Sequence, residues 1–252
     1  MYINLFDKKT SFLYNVCVIT SAEIKNLKDK KYRKENSLFM VEGEKFCADI
    51  LRAGVEIIYT ITTDNKLTGF PNICVVSDKQ LSSLATTKTN QNIICICKKK
   101  DVEISSVGNA LILDALQDPG NVGTLIRSAM AFGYEDVYLC DCADVYGEKV
   151  IRSSAGLSLS ARLHVVDYET VKQNKVRIAD VFLAADMNGE NINKIRLPKK
   201  RIAVIIGNEG NGVSKEFLSL ADNVVSIPMT SKVESLNAGV AGSIIMQKLS
   251  EV

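Results

Sequence analysis

The chain has 252 residues, 46% hydrophobic and 24% charged, with a formal net charge of +2. That is the make-up of an ordinary globular protein of one large or two smaller domains, and its overall charge alone argues for no particular partner. No apolar run reaches transmembrane length, and the opening "MYINLFDKKTSFLYNVCVIT" has no cationic start leading into an unbroken apolar stretch. A membrane-spanning or secreted protein is therefore not expected, and a cytoplasmic one is. Seven cysteines are scattered along the chain, with Cys95/Cys97 and Cys140/Cys142 as the only close pairs, and His164 is the only histidine. No four-ligand zinc set has suitable spacing, whereas small side chains buried on one face of a strand account for both pairs.

From residue 20 to 97 the sequence alternates between helical and extended patterns. Ser21 is a candidate cap for a first helix. "SLFMVEG" reads as a strand. "EKFCADILRAG" reads as a helix, with Phe46, Ile50 and Leu51 on one stripe and Gly54 as its stop. "EIIYTIT", "NICVVS" and "QNIICICK" read as further strands, and the polar "KKKDVEISSVGN" reads as a linker. Basic residues gather at Lys25, Lys28, Lys30, Lys31, Arg33 and Lys34, again at 98 to 100, and in "KIRLPKKR" at 194 to 201. Such patches suit a polyanion, but a solvated helix face has the same composition.

The rhythm restarts at residue 110. "ALILDAL" is a short buried strand, "DPGNVG" a turn, and "NVGTLIRSAMAFG" a helix. That helix places Val122, Leu125, Ile126, Ala129 and Met130 on one face and ends at Gly133. Strands follow at "DVYLC", "LHVVD", "VFLAAD", "RIAVIIG" and "NVVSIPM", and "SLNAGVAGSIIMQKL" is the last helix. Short apolar strands alternating with helices predict an α/β domain with a mostly parallel sheet and helices on both faces. In such sheets ligands bind at the carboxyl ends of strands.

Three polar, glycine-bearing loops stand at those ends. In "DALQDPGNVGTLIRSA", Pro119-Gly120 is a turn and Asn121 suits a helix cap. Arg127 there lies among apolar neighbours, from which its guanidinium could sit near the helix start and meet a phosphate. "IIGNEGNGVS" has three glycines after a strand, but Glu209 sits in their midst and no Lys-Ser or Lys-Thr pair follows, unlike a phosphate-binding loop. The glycines also serve a plain strand-to-helix turn. In "IPMTSKVESLNAGVAG", Ser235 is a candidate cap, Asn237 follows it, and Ala238, Gly239, Ala241 and Gly242 mark a helix packed closely against another segment.

Taken jointly, "DPGNVGTLIRSA", "IIGNEGNGVS" and "IPMTSKVESLN", with "KVIRSSAG" between the first two, resemble the motifs of the SpoU/TrmH family of RNA ribose 2′-O-methyltransferases in the SPOUT superfamily. The likeness runs from residue 107 to the C-terminus. "RKENSLFMVEGEKFCADIL" resembles the small ribosomal-protein-like RNA-binding domain that precedes the catalytic domain in many members. The resemblance implies an N-terminal extension and substrate domain over residues 1–105 and a methyltransferase domain over 106–252, with a C-terminal trefoil knot. It implies S-adenosylmethionine as cofactor, no metal, RNA as substrate (ribosomal RNA before transfer RNA) and a homodimer. By position it assigns Gly207, Ile227 and Leu236, with Met229 nearby, to the cofactor. Arg127 takes the main catalytic role, and Asn121, Glu209, Ser235 and Asn237 orient the ribose and the arginine. Two alternatives stay open: a catalytically silent RNA-binding assembly factor with the same fold, and methylation of a base.

Overall fold

A computed structural model describes residues 19–87, 91–196, 200–230, 232 and 234–250. Cys17, residues 197–199 of the third basic stretch, and Ser231 and Val233 of the third loop lie outside the described residues, as do residues 1–16. The chain forms two compact units, one of residues up to Asp101 with Tyr146–Glu148, the other of Val102–Val145 and Lys149 onward. No described helix is long and apolar enough to cross a membrane.

The first unit runs α1 (Ser21–Asn26), α2 (Lys30–Asn36), β1 (Leu38–Glu42), α3 (Glu44–Arg52), β2 (Ile57–Thr62), β3 (Ile73–Val75), α4 (Asp78–Leu84) and β4 (Ile93–Lys98). Its four strands form one sheet in the order β1-β4-β2-β3, antiparallel except for the β2–β3 pair. The cap of α1 is Thr20 and not Ser21, because Thr20 and Glu23 satisfy each other's main-chain N–H groups in a capping box. On α3 the buried residues are Cys47 and Ile50, while Leu51 is 40% exposed. Sulfur packs there as a small apolar group, which the expected Phe46–Ile50–Leu51 stripe missed. Cys95 and Cys97, two apart on β4, are both fully buried. Burial pushes the Cys97 thiol well above its ordinary range.

The basic stretches are less uniform than their composition. Arg33 is buried, and its guanidinium donates to the Leu27 carbonyl at 2.5 Å, so it serves the packing of α2 and not a charged surface. Arg201 donates to the carbonyls of Ser106, Arg177 and Val176 and pairs with Asp180 at 3.2 Å. Both arginines are spent on carbonyl oxygens, where a flexible fork with several donors closes loops that no regular ladder reaches.

The second unit runs β5 (Ala110–Asp114), α5 (Pro119–Ala131), β6 (Asp136–Cys140), α6 (Glu148–Ser153), β7 (Arg162–Val166), α7 (Tyr168–Gln173), α8 (Lys175–Ile178), β8 (Val181–Asn191), β9 (Ile202–Ile206), α9 (Lys215–Leu220), β10 (Asn223–Ser226) and α10 (Ala238–Ser250). Its six strands lie in the order β10-β8-β9-β5-β6-β7, and every neighbouring pair is parallel. The central strands β5, β6 and β9 are buried along their whole length and are almost wholly apolar, because both faces of a parallel sheet are covered there. One core gathers Ile112, Tyr138, Phe182, Ile205 and Phe217. The chain builds outward from β5 through β6 to β7, then crosses to the other side for β8, β9 and β10. The order reverses between β5 and β9, and the crevice at such a switch is where ligands bind.

At the amino ends of β6 and β7, Asp136 receives the only histidine. His164 Nε2 lies 2.8 Å from Asp136 Oδ1, and its ring stacks on Tyr138 at 4.2 Å. Tyr138 OH and the buried Ser106 hydroxyl share a hydrogen bond of 3.1 Å. The segment expected as a linker is thus fastened to the sheet at Ser106.

Candidate active site

The three loops expected to carry chemistry follow β5, β9 and β10. After β5 the turn is shorter than "DPGNVG" suggests, since α5 already begins at Pro119. Its cap is Asp118, whose carboxylate accepts from the Gly120 N–H and, at 3.3 Å, from Asn121 N–H. Proline at the first helical position lacks a donor that would be unpaired there anyway, so Asp-Pro is a helix-start signal in its own right. Asn121 is therefore not the cap. Released from that duty and 8% exposed, its side chain faces into the fold.

The loop after β9 is a tight hairpin. Asn208 pairs with Gly212, and its side-chain oxygen accepts the Gly210 N–H at 2.9 Å. A Cβ on Gly207 would lie 2.1 Å from main-chain atoms of Gly212 and Val213, so only glycine fits there. Two bonds stitch this loop to the end of β5: Asn208 Nδ2 donates to the Ala115 carbonyl at 2.8 Å, and Asp114 Oδ2 accepts the Ser214 N–H at 2.7 Å. Sequence reading missed both residues, because their partners are about a hundred positions away.

In the third loop α10 starts at Ala238 and not at Ser235. Asn237 fills the capping place, with its Oδ1 accepting the Val240 N–H at 3.2 Å. Ser235 is exposed and hydrogen-bonds to nothing among the described residues. The small residues expected on this helix do permit close packing. A Cβ on Gly242 would meet Leu125 Cδ2 of α5 at 2.3 Å, one on Gly239 would meet Asn121 Oδ1 at 3.3 Å, and the hydroxyls of Ser128 and Ser243 share a bond of 2.6 Å.

These loops converge on Asn121. Its Nδ2 donates to Glu209 Oε1 at 3.0 Å, and its Oδ1 accepts from Asn237 Nδ2 at 2.9 Å. One side-chain amide thus joins one residue from each loop. Partial burial pushes the Glu209 carboxyl up, but the Asn121 amide and the N–H groups of its own loop, Asp118 and Gln117 outweigh it, and the net shift is downward from 4.5. Glu209 is a carboxylate at neutral pH, seated by the amino end of α5, where the helix dipole favours negative charge. Asn121→Ala is expected to cost on the order of 1–3 kcal/mol, because it leaves two polar partners unpaired. Urea denaturation of Asn121→Ala, Asn237→Ala and the double variant measures this. Additive losses would show that the amide chain is not a unit.

Arg127 is not in this cluster. It lies six residues beyond Asn121 on α5, about 240° further round the helix. It is exposed, and among the described residues it makes no hydrogen bond or ion pair.

The residues assigned to the cofactor fit an adenosine read through main-chain groups. The ladder between β10 and β8 ends with Ile192 N–H donating to Ser226 O at 2.9 Å, and Pro228 has no N–H to prolong it. Beyond that bond, the main-chain groups of Ile227, Met229 and Leu236 hydrogen-bond to nothing among the described residues. Ile227 and Leu236 are half-buried, and Met229 is 39% exposed. Apolar residues with open main-chain donors and acceptors are what a flat heterocycle requires.

Residues 108–247 match the model of the SpoU rRNA Methylase family, and residues 22–95 match the MRM3-like substrate binding domain. The chain is 31% identical over 235 residues to the 23S rRNA (guanosine(2553)-2′-O)-methyltransferase RlmP of Bacillus subtilis, spanning 89% of this chain and 93% of that protein. It is 27% identical to the human mitochondrial rRNA methyltransferase 3, over 87% of this chain and 69% of that one. Among solved structures, the AdoMet-bound rRNA methyltransferase of Sinorhizobium meliloti superposes with a TM-score of 0.82 at 23% identity, covering 92% of this chain and 94% of the other. At that identity the superposition speaks for the fold alone. The family model, spanning more than half the chain, and the Bacillus relative place this protein in the SpoU rRNA methylase family.

Proposed function

We propose that the protein transfers a methyl group from S-adenosylmethionine to a ribose 2′-hydroxyl of ribosomal RNA. The observation that carries this reading is the amide chain Glu209–Asn121–Asn237, which joins the three loops beside the open main-chain groups of Ile227, Met229 and Leu236. The cofactor, when bound, supplies a methyl group on a positively charged sulfur. Gly207, Ile227 and Leu236 hold its adenosine through main-chain groups, with Met229 beside them. Glu209 supplies a negative charge near the cationic centre, and a glycine loop bearing a carboxylate suits a sulfonium better than a phosphate. Asn121, Ser235 and Asn237 orient the acceptor ribose.

Arg127 keeps its proton throughout, since a guanidinium does not deprotonate near neutral pH. Its role is to clamp the RNA phosphate through paired N–H donors and to stabilise the alkoxide developing on the acceptor oxygen, with the phosphate taking the proton. Its exposed position outside the amide chain leaves it free to meet the acceptor strand.

Residues 1–105 form the RNA-binding unit with its N-terminal extension in this reading, and 106–252 the methyltransferase domain. The unit carried by 22–95 resembles a ribosomal-protein-like RNA-binding domain. A trefoil knot is part of the same proposal: the chain leaves β10 at the sheet edge, yet α10 packs back on α5 and β9 through Gly239 and Gly242. A homodimer is proposed on Val240 and Ile244, one turn apart on α10 and 47% and 39% exposed, which form an apolar strip for a second copy. A cytoplasmic location goes with an RNA substrate of this kind.

The test is to map 2′-O-methylated nucleotides in ribosomal RNA from cells with and without the protein. One methylated position is expected to disappear with the protein. The purified protein is expected to modify the corresponding RNA fragment and to give no product when that nucleotide is 2′-deoxy. Methylation of the deoxy fragment would point to a base as acceptor, and no cofactor binding at all would point to a silent RNA-binding factor.

A further inference from the structure

Between β9 and β10 in the sheet lies β8. Its carboxyl end is therefore flanked on one side by the glycine loop 207–212 and on the other by the 227–229 segment, the two stretches assigned above to the adenosine. Asp186 is the carboxylate that follows the last β8 residue paired with β9. Pairing of β8 with β10 jumps from Ala184↔Val224 to Glu190↔Val225, so residues 185–189 bulge from the sheet. The bulge is fastened just before Ile227. A Cβ on Gly189 would lie 2.6 Å from the main chain of Val225, and Ser226 Oγ donates to the Gly189 carbonyl at 2.8 Å.

Within the bulge the carboxylate is held by one oxygen. Asp186 Oδ1 accepts the Asn188 N–H at 2.8 Å and its side-chain amide at 3.1 Å. The other oxygen, Oδ2, lies toward the glycine loop, 3.9 Å from where a Cβ of Gly212 would begin. It accepts no hydrogen bond, and no cation pairs with Asp186, among the described residues. Asp186 is half-buried. A carboxylate oxygen that is fixed through its neighbour, open to solvent and without a protein donor is available to a ligand's hydroxyl groups.

We infer that Asp186 accepts the hydroxyls of the cofactor's ribose. The inference rests on the cofactor reading above and adds a residue to it. A ribose diol offers two O–H donors to one carboxylate, whereas a phosphate would be repelled. Glu209 belongs to the side of the loop facing Asn121 and Asn237, where the acceptor is oriented. Asp186 stands on β8, between that loop and the strand that leads to Ile227, where the adenosine is held in this reading.

Calorimetry on the full chain tests this with three probes: S-adenosylhomocysteine, 5′-methylthioadenosine, and 2′,3′-dideoxy-5′-methylthioadenosine. Asp186→Asn keeps the acceptor that Asn188 needs, and Asp186→Ala serves as a second variant, each checked for folding by thermal denaturation. The expected result is a loss of about tenfold or more in affinity for the two diol-bearing probes, with the dideoxy probe bound as by the wild type. Equal weakening of all three probes would reduce Asp186 to a structural role and overturn the inference. Weakening of S-adenosylhomocysteine alone would mean that the carboxylate meets the amino-acid ammonium, which also overturns it. Unchanged binding of all three does the same. If the wild type bound none of the probes, the cofactor reading itself would fall, and the inference with it.

Discussion

Arg127→Ala is expected to lower the rate of methyl transfer by about 10²–10³-fold or more while leaving affinity for S-adenosylmethionine unchanged. The reasoning is geometric. Asn121, Glu209 and Asn237 are tied to one another, but Arg127 is exposed on α5 with no partner among the described residues. Removing it therefore leaves intact the three loops proposed to hold the cofactor. What is lost, in the proposed reading, is the charge that meets the RNA, whose value is greatest when the acceptor oxygen is developing negative charge. Arg127→Lys restores the charge but not the paired donors, so partial recovery at most is expected. Single-turnover methylation and calorimetry, performed on the same preparations, separate the two effects. A variant that methylated RNA at the wild-type rate would remove Arg127 from the site.

Gly207→Ala is the second substitution with a large expected effect, and it acts through the backbone. The added methyl would lie 2.1 Å from main-chain atoms of Gly212 and Val213, and neither can swing aside as a flexible side chain could. Opening the hairpin would strain the bonds that tie it to β5, from Asn208 to Ala115 and from Ser214 to Asp114. Overpacking of this kind costs about 1–3 kcal/mol where the surroundings can yield, and more where they cannot. Cofactor affinity is expected to fall with the hairpin, because in the proposed reading the same main chain faces the adenosine. Gly210→Ala is the control: its Cβ would be 3.5 Å from the nearest atom, Asn208 Oδ1, and little change is expected. Urea denaturation and cofactor titration of both variants give the comparison. Equal behaviour of the two would show that the hairpin is looser than its geometry.

Much of this architecture is legible from local chemistry. Apolar runs of five residues on β5, β6 and β9 could be placed within a residue or two, because strands buried on both faces carry little besides aliphatic side chains, whereas the run at β10, on the sheet edge, was expected three residues too long. The small residues of α10 correctly announced close packing. Caps were misplaced in every loop where two candidates stood near each other: Thr20 and not Ser21, Asp118 and not Asn121, Asn237 and not Ser235. Several polar residues can each close a helix start, and the competition is settled by where the fold lets the first helical turn begin, at Ser21, Pro119 and Ala238. The excursion at 185–189 was also invisible, since "VFLAADMNGEN" carries no sign of where pairing with β10 breaks off.

The site shows the same division. Three glycine- and asparagine-bearing loops at the ends of strands, and the residue types they offer, follow from the order of amino acids alone, because turn geometry and strand periodicity are local. Which of those residues meet does not follow. Asn121 reaches Glu209 across 88 positions and Asn237 across 116. Those contacts exist only because the strand order reverses between β5 and β9 and because α10 returns from the sheet edge to lie on α5. Arg127, six residues from Asn121 in sequence, points elsewhere, since six residues on a helix are one and two-thirds turns. Sequence proximity on α5 suggested one cluster, and the helical repeat divided it into a buried amide that joins the three loops and an exposed cation.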